Sequence, residues 1–281
     1  MASGNLRILA TNLHDTATLT ATSEAMPVAN TQVSPRPYVW RSTDLQKQEI
    51  DVTLSGADYI DCIALAQHNL GALGEVRIEF FQGGFTEENR VKDSGLMPTA
   101  MLIPLSAWRV GIDSWGASYN DRLPGGSSLV IYWLDQPIAA DRYRITLTSS
   151  DTSAGYFEVG RIFAGLSSSP ETNMSWNPNV RWIENIEHVR TESGSSRSVG
   201  GGEPRRVVSI KLDWLSEADR QRLLTDLVSV GKAADLLVSL YPEQGGLREL
   251  EHTMVCRRTN DFGHTYSNYN NWQTTLDFEE V

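Results

Sequence analysis

Apolar and polar residues alternate from Ile50 through Asp51, Val52 and Thr53 to Leu54, the period of a strand with one face buried. Ser55, Gly56, Ala57 and Asp58 then supply turn chemistry, and residues 60–66 form a second apolar run rich in β-branched side chains. His68, Asn69 and Gly71 follow at its end. Asn and Gly tolerate left-handed backbone, so the pattern predicts a strand-ending turn with a structural histidine. The competing reading, a chemical site at His68 and Asn69, has no nucleophile or second base nearby in sequence.

Further strands are predicted at 76–81, 129–134, 142–148, 156–163, 207–212, 236–240, 253–257 and 273–278, with Leu6, Ile8 and Leu9 in a first strand. Gly, Pro, Ser, Asn and Asp punctuate them, the signature of antiparallel sheets packed as sandwiches. One helix stands out near 216–232. Ser216 and Asp219 resemble a capping box, with the serine accepting an orphan amide and the aspartate reaching back. Leu223, Leu224, Leu227, Val228 and Val230 form its apolar stripe, closed by Gly231 and Lys232. The fold class expected is all-β, with a jelly-roll sandwich at 1–165 and a β domain carrying one packed helix at 166–281. The divide follows the composition change at "GLSSSP". The stretch 192–204, "ESGSSRSVGGGEP", has Val199 as nearly its only apolar side chain and reads as a flexible hairpin extension.

Composition narrows the function. A chain of 281 residues with 40% hydrophobic and 21% charged residues is an ordinary globular protein. A net charge of -11 argues against nucleic acid as a partner, because neutralising phosphates needs clustered Lys and Arg. No apolar stretch reaches the roughly 18–20 residues that span a bilayer, so no membrane insertion is expected. The opening "MASGNLRILATNLHD" turns polar too quickly for a secretory signal. Cys62 and Cys256 read as small buried hydrophobes of a reducing cytoplasm, with a disulfide between them as the alternative.

Catalytic signatures are missing from the sequence. It contains no G-x-S-x-G, H-E-x-x-H, phosphate-binding Gly-rich loop or G-x-G-x-x-G. The five histidines lack metal-ligand spacing, so neither a metal nor a cofactor is expected. Glu184, Glu187 and His188 fit an exposed strand or turn, and acidic pairs such as Asp113 and Asp121 are common in an acidic chain. No hydrolase is expected. The ligand-binding candidate is the stretch 108–126, where Trp115 and Tyr119 lie near Asp113, Asn120 and Asp121. A flat apolar face beside directional polar groups suits a sugar. Two alternatives are that both tryptophans pack under a long loop, or that the Asp and Asn oxygens hold calcium.

Several segments, in this order, resemble a known family: "RILATNLHDTATLTATS", "YVWRS", "IALAQHNL", "DSG", "DSWG" and "GYFEVGRIFAG". They are similar to tail-tip proteins of long-tailed bacteriophages, in which a galactose-binding-like (discoidin-type) sandwich precedes a second domain resembling the distal tail protein. "RRVVSIKLDWLSEADRQRLL", "LLVSLYP" and "TTLDFEEV" resemble the strand–helix–strand plan of tail-tube-related ring domains. The resemblance implies a structural subunit, assembled in the host bacterial cytoplasm and located at the virion tail tip. Its partners would be its own copies in a ring, the tail tube protein and the tip or hub proteins. A host-surface glycan is the alternative partner, bound by the first domain. The stretch 192–204 is expected to be disordered in a monomer and ordered against a neighbour, where Arg197 or the Arg205-Arg206 pair meets part of the neighbour's excess acidity.

Overall fold

The computed structural model describes residues 4–34, 36–120, 123 and 128–281. Its strands are β1 (Arg7–Leu9), β2 (Thr18–Ala21), β3 (Trp40–Arg41), β4 (Gln48–His68), β5 (Glu75–Phe81), β6 (Arg90–Pro98), β7 (Leu129–Thr148) and β8 (Glu158–Gly165). They continue with β9 (Asn179–Ile183), β10 (Ile186–Arg190), β11 (Ser196–Gly200), β12 (Arg205–Leu215), β13 (Leu236–Ser239), β14 (Thr253–Arg258), β15 (Thr265–Asn268) and β16 (Asn271–Glu280). Two α-helices, α1 (Glu217–Val230) and α2 (Gly246–His252), accompany them among the described residues. The protein is mainly β, and its strand pairs are antiparallel.

Sheet I runs β3-β8-β4-β7-β5-β6, with β2 also on β4. Its long strands, β4 with 21 residues and β7 with 20, bend so that the sheet folds over itself into a sandwich. One leaf pairs 48–53 of β4 with 142–147 of β7, and adds β2, β5 and β6. The other pairs 62–66 of β4 with 129–133 of β7 and 161–165 of β8. Residues 55–58 are therefore not a turn between two strands. They form an exposed irregularity within β4, where the register shifts between Thr53 and Asp58. Likewise 129–134 and 142–148 belong to one strand, because residues 138–140 keep pairing across the bend.

Burial explains the two hydropathy patterns of β4. Residues 48–54 alternate because one face of their leaf meets the sandwich core and the other meets solvent. Residues 60–66 are buried without interruption because their leaf is covered on both sides. Ile60, Ile63 and Leu65 pack inward with Phe80, Tyr143, Phe157 and Ile162. Cys62 and Ala64 pack outward with Phe163 against Leu9 and Leu237 of sheet II.

Sheet II runs β1-β13-β14-β16-β12-β9, with β15 on β16. The first strand of the chain thus completes the second sheet, through Arg7–Ser239, Ile8–Val238 and Leu9–Leu237 pairs. Its opposite face buries Val208, Ile210, Leu236, Val238, Cys256, Leu276 and Phe278 against Leu223 and Leu227 of α1. The layers are leaf, leaf, sheet and helix. Both cysteines are free and buried in different clusters, so no disulfide links them.

The predicted helix forms as α1. Ser216 caps it by accepting from the Asp219 amide at 3.2 Å, and Gly231 closes it at φ 78°. Asp219 does not reach back to the cap; its carboxylate accepts from the Glu171 amide at 3.0 Å and ties the linker to the helix. Val228 is exposed, so the stripe is narrower than expected. The sequence reading missed α2, whose Gly245 and Gly246 look like loop residues and hold φ of 66° and 67°. The stretch 192–204 is also not wholly irregular, since residues 196–200 pair with 186–190 as a two-stranded ribbon.

Gly165 marks the closest approach at the seam between leaf and sheet. A Cβ there would lie 2.8 Å from the Thr11 carbonyl oxygen and 3.1 Å from Leu9 Cδ1. Gly165→Ala is therefore expected to cost ~1–3 kcal/mol in urea unfolding, as overpacking does. Gly56→Ala, where a Cβ meets nothing within 4 Å, should stay within ~0.5 kcal/mol of the parent. Equal midpoints for the two variants would contradict this packing.

Candidate functional site

After β6, residues 99–120 form a loop closed at its base. Thr99 donates to the Gly71 carbonyl at 2.6 Å, and Leu102 bridges Ser118. The Tyr119 amide donates to the Met101 carbonyl at 2.8 Å, and the Met101 amide donates to Asn120 Oδ1 at 3.0 Å. Further out, Asp113 Oδ2 accepts from the Arg109 amide at 2.7 Å. Asp113 and Asn120 thus hold the loop together, as short polar side chains do when they bond nearby backbone.

Trp115 is presented. Its side chain is 85% exposed, and its ring meets Trp108 edge-on at 5.7 Å. Packing beneath the loop is overturned for Trp115, while half-buried Trp108 ties its indole nitrogen to the Ser114 carbonyl at 3.1 Å. Tyr119 sits elsewhere, at the loop base, within 4.0 Å of where a Gly246 Cβ would be. The structure therefore brings Trp115 to Trp108, not to Tyr119. Leu105, Val110 and Ile112 are exposed beside it. Asp121 lies outside the described residues. Among the described residues no group of three or more His, Cys, Asp or Glu could hold a metal.

His68 and Asn69 end β4 as a wall and a clasp. Asn69 donates through Nδ2 to the Tyr156 carbonyl at 2.9 Å and accepts through Oδ1 from the Glu158 amide at 2.7 Å. The side chain thereby prolongs the pairing with the β8 segment after the strand has stopped. Both ring nitrogens of His68 are buried without a hydrogen-bond partner, and burial lowers its pKa to about 4. His14 is buried too, but satisfied. Thr31 spends its hydroxyl proton on the Val28 carbonyl, so His14 Nε2 donates to Thr31 at 2.8 Å and Nδ1 accepts from the Tyr143 hydroxyl at 2.7 Å. Burial first, and then the Arg161 charge, lower the His14 pKa to about 3.

Among the described residues the ribbon of β10 and β11 pairs with itself alone, and it is exposed at each of its ten strand positions. Directly opposed residues share a face, so Glu187, Val189, Arg197 and Val199 form one side. Ile186, His188 and Arg190 lie on the other, where His188 Nδ1 meets Ser198 Oγ at 2.9 Å. Arg197 is therefore available on the ribbon. Arg205 is not in it; on β12 it pairs with Glu279 at 2.8 Å. Arg206 cannot meet a neighbour. It is buried, paired with Glu280, and donates to the carbonyls of Leu250, Glu251 and Thr253.

Sequence reasoning did not find two clefts at the seam of the sheets. One, of about 320 Å³, is lined by Arg36, Gln67, Glu158, Trp182, Arg206 and Glu280 among others. Burial pushes the Glu280 carboxyl up, but hydrogen bonds and the charge of Arg206 outweigh it and hold the group below the usual range. The other, of about 290 Å³, has Trp133 and Glu249 in its wall, joined at 3.2 Å. Their residues come from strands far apart in sequence, and no spacing marks them.

No protein-family model matches the chain, and no curated protein matches it. Solved structures align with slightly more than half of it. The family 32 CBM from C. perfringens NanJ in complex with galactose is 18% identical over 55% of this chain and 97% of that one, at a TM-score of 0.37. A chitosan-binding module of a chitosanase/glucanase from Paenibacillus sp. IK-5 is 14% identical over 55% and 98%, at 0.38. The lectin domain of lectinolysin complexed with Lewis B antigen is 10% identical over 55% and 95%, at 0.37. A likeness this low carries nothing about ligands.

The buried neutral histidines set a pH dependence. Their folded pKa values, about 3 for His14 and about 4 for His68, lie below the usual histidine value of 6.5. The unfolded chain binds the protons first, so stability is present above pH 6.5 and is lost as pH falls toward the folded values. Each histidine contributes a slope of up to about 1.4 kcal/mol per pH unit in that window. His68→Leu removes a ring that has no hydrogen bond to lose. It should fold and lower the slope between pH 6 and 4.5 by about one proton in urea titrations at stepped pH. An unchanged slope would show that His68 is protonated or solvated in the native state.

Proposed function

We propose that this chain is a non-catalytic structural subunit of a phage tail tip, a distal-tail or baseplate protein whose copies form a ring between tail tube and tip. The observation that carries the reading is the ribbon of β10 and β11. An isolated two-stranded ribbon is marginal in water, yet this one leaves Ile186, Val189 and Val199 exposed. Such an arm gains stability when a neighbour covers it. Residues 186–200 hold Glu187 and Glu192 against Arg190 and Arg197, so the arm is neutral in a chain of net charge -11. Copies can meet there without the repulsion that the rest of the surface imposes. The outer strand β9 adds a sheet edge, unpaired among the described residues, of the kind that neighbours cover. Cyclic closure needs two different complementary surfaces on each copy, and arm and body are different. The resemblance of the ordered motifs implies tail tube and hub proteins as the other partners, with assembly in the host cytoplasm.

A second reading, a module that attaches to a host-surface glycan, is favoured by the exposed Trp115 ring on its Trp108 support. Loss of glycan affinity in Trp115→Ala, with folding intact, would favour it.

The structural reading is tested by sedimentation velocity and electron microscopy of the purified chain over rising concentration. Rings are expected. Replacing residues 187–199 by a short Gly-Ser turn should abolish them while leaving the urea midpoint near the parent's, since each of those side chains is exposed. A parent that stays monomeric throughout, or a variant that still forms rings, would contradict the proposal.

A further inference from the structure

The cleft beside Trp133, of about 290 Å³, has in its wall a buried carboxylate that the proposed function does not use. β7 brings Ile131 and Trp133 to this wall, α2 brings Glu249 and Leu250, and the base of the 99–120 loop adds Met101. Glu249 is only 8% exposed. The turn between β13 and α2 wraps its amides around the carboxylate. Oε1 accepts from the Glu243 amide at 3.1 Å and from Trp133 Nε1 at 3.2 Å, and Oε2 accepts from the Gly245 amide at 2.7 Å. Glu243, Gly245 and Gly246 hold φ of 64°, 66° and 67° in making that turn.

The charge of Glu249 has no counterpart in the chain. Arg7 pairs with Glu243 at 2.6 Å and lies over the Trp133 ring at 4.8 Å. Arg248, the neighbour of Glu249 in α2, lies over the Tyr241 ring at 4.0 Å. His252 meets the same ring edge-on at 5.0 Å, and its Nδ1 bonds the Arg248 carbonyl. Among the described residues no Lys, Arg or His forms an ion pair with Glu249. Amide and indole dipoles orient a carboxylate but do not neutralise it, and a buried charge is costly until it is paired. The cleft has room for the cation that the chain does not supply.

The site also selects among cations. Oε1 of Glu249 takes two hydrogen bonds and Oε2 takes one, so a single acceptor position remains, on Oε2. A guanidinium needs both oxygens side by side for its bidentate pair, whereas an ammonium is a point charge that needs one. Glu243, also in the wall, adds an Oε2 that accepts no hydrogen bond among the described residues. A metal ion needs more oxygens than two carboxylates give. The rest of the wall, with Met101, Ile131 and Leu250, is apolar and suits a short unbranched alkyl chain.

We propose that Glu249, with Glu243 and the apolar wall, forms a binding site for a primary alkylammonium group. A free amine and the lysine side chain of a partner both carry that chemistry. The inference is independent of the ring-forming role.

Calorimetric titration of the full-length protein with hexylammonium tests it, with hexanol and hexanoate as the neutral and anionic counterparts. The Trp133 indole N–H gives a local readout in proton–nitrogen correlation spectra, identified by its loss in Trp133→Phe. Hexylammonium is expected to shift this resonance and to bind about tenfold or more tightly than hexanol, with hexanoate silent. Glu249→Gln should weaken hexylammonium about tenfold or more. That change also disturbs the 243–245 turn, so Ile131→Trp serves as the second variant. It enlarges a half-buried side chain on the opposite wall, keeps Glu249, and should abolish binding while the urea midpoint shows a folded protein. Blocked lysine amide binding as well as hexylammonium would assign a partner's lysine, and a clear preference for hexylammonium would assign a free amine. Absence of hexylammonium binding would overturn the proposal, and so would equal affinity for hexanol. Binding that survives Ile131→Trp, with the Trp133 resonance unmoved, would place the amine elsewhere on the acidic surface and overturn it too.

Discussion

One leaf of sheet I is buried on both faces, and the rest of the architecture depends on that double burial. Ile63 and Leu65 face the sandwich core, whereas Cys62 and Ala64 alternate with them toward Leu9 and Leu237. The outward residues are small where the sheets come closest, and Gly165 accepts the Thr11 carbonyl at a distance that admits no side chain. Removing either cover would expose an apolar strand to water. A strand pair with both faces apolar has no stable solution as a free surface. The two halves of the chain are therefore joined by packing as well as by the linker. β1 strengthens this coupling, because it pairs in sheet II yet precedes the strands of sheet I in sequence.

Buried polar networks fix how these layers meet. Arg161 of β8 pairs with Asp15 at 2.6 Å and donates to the Thr31 carbonyl at 3.1 Å. It thereby pins the segment that also carries His14. Arg206 does the same in sheet II, where it joins β12, β16 and the end of α2 through Glu280 and three carbonyls. Arg206 has all three of its nitrogens bonded to fixed acceptors, whereas Arg161 leaves Nε without a partner among the described residues; in both, a shift would break the ion pair. The outcome is a rigid body. Its exposed extensions, the ribbon and the loop carrying Trp115, attach by few contacts and are where binding can be varied at little cost to stability.

Legibility in the sequence tracked locality. The alternation at Ile50, Val52 and Leu54 and the cap-to-stripe pattern of α1 report interactions a few residues apart, and both elements formed. Residues 60–66 were visible as an apolar run, but the reason for the second buried face lies at Leu237 and Val255 in another sheet. α2 escaped because paired glycines at its start mimic a loop. The candidate site was half legible. Trp115 is exposed, whereas Asp113 and Asn120 bond backbone within their own loop. Arg206 looked like half of a basic surface pair, and only its distance in sequence from Glu280 and Leu250 hid its burial. The clefts join residues that no local pattern connects.

The central claim is a single rigid two-sheet body that offers a soft, unpartnered ribbon to its neighbours. Native-state hydrogen exchange of the isolated monomer tests both parts at once. The account predicts that amides of 62–66 and 161–164 in sheet I and of 237–238 and 254–256 in sheet II exchange with one common opening free energy. Amides of 186–190 and 196–200 should exchange with little protection. Two separate opening energies for the sheets, or a ribbon as protected as the core, would contradict it.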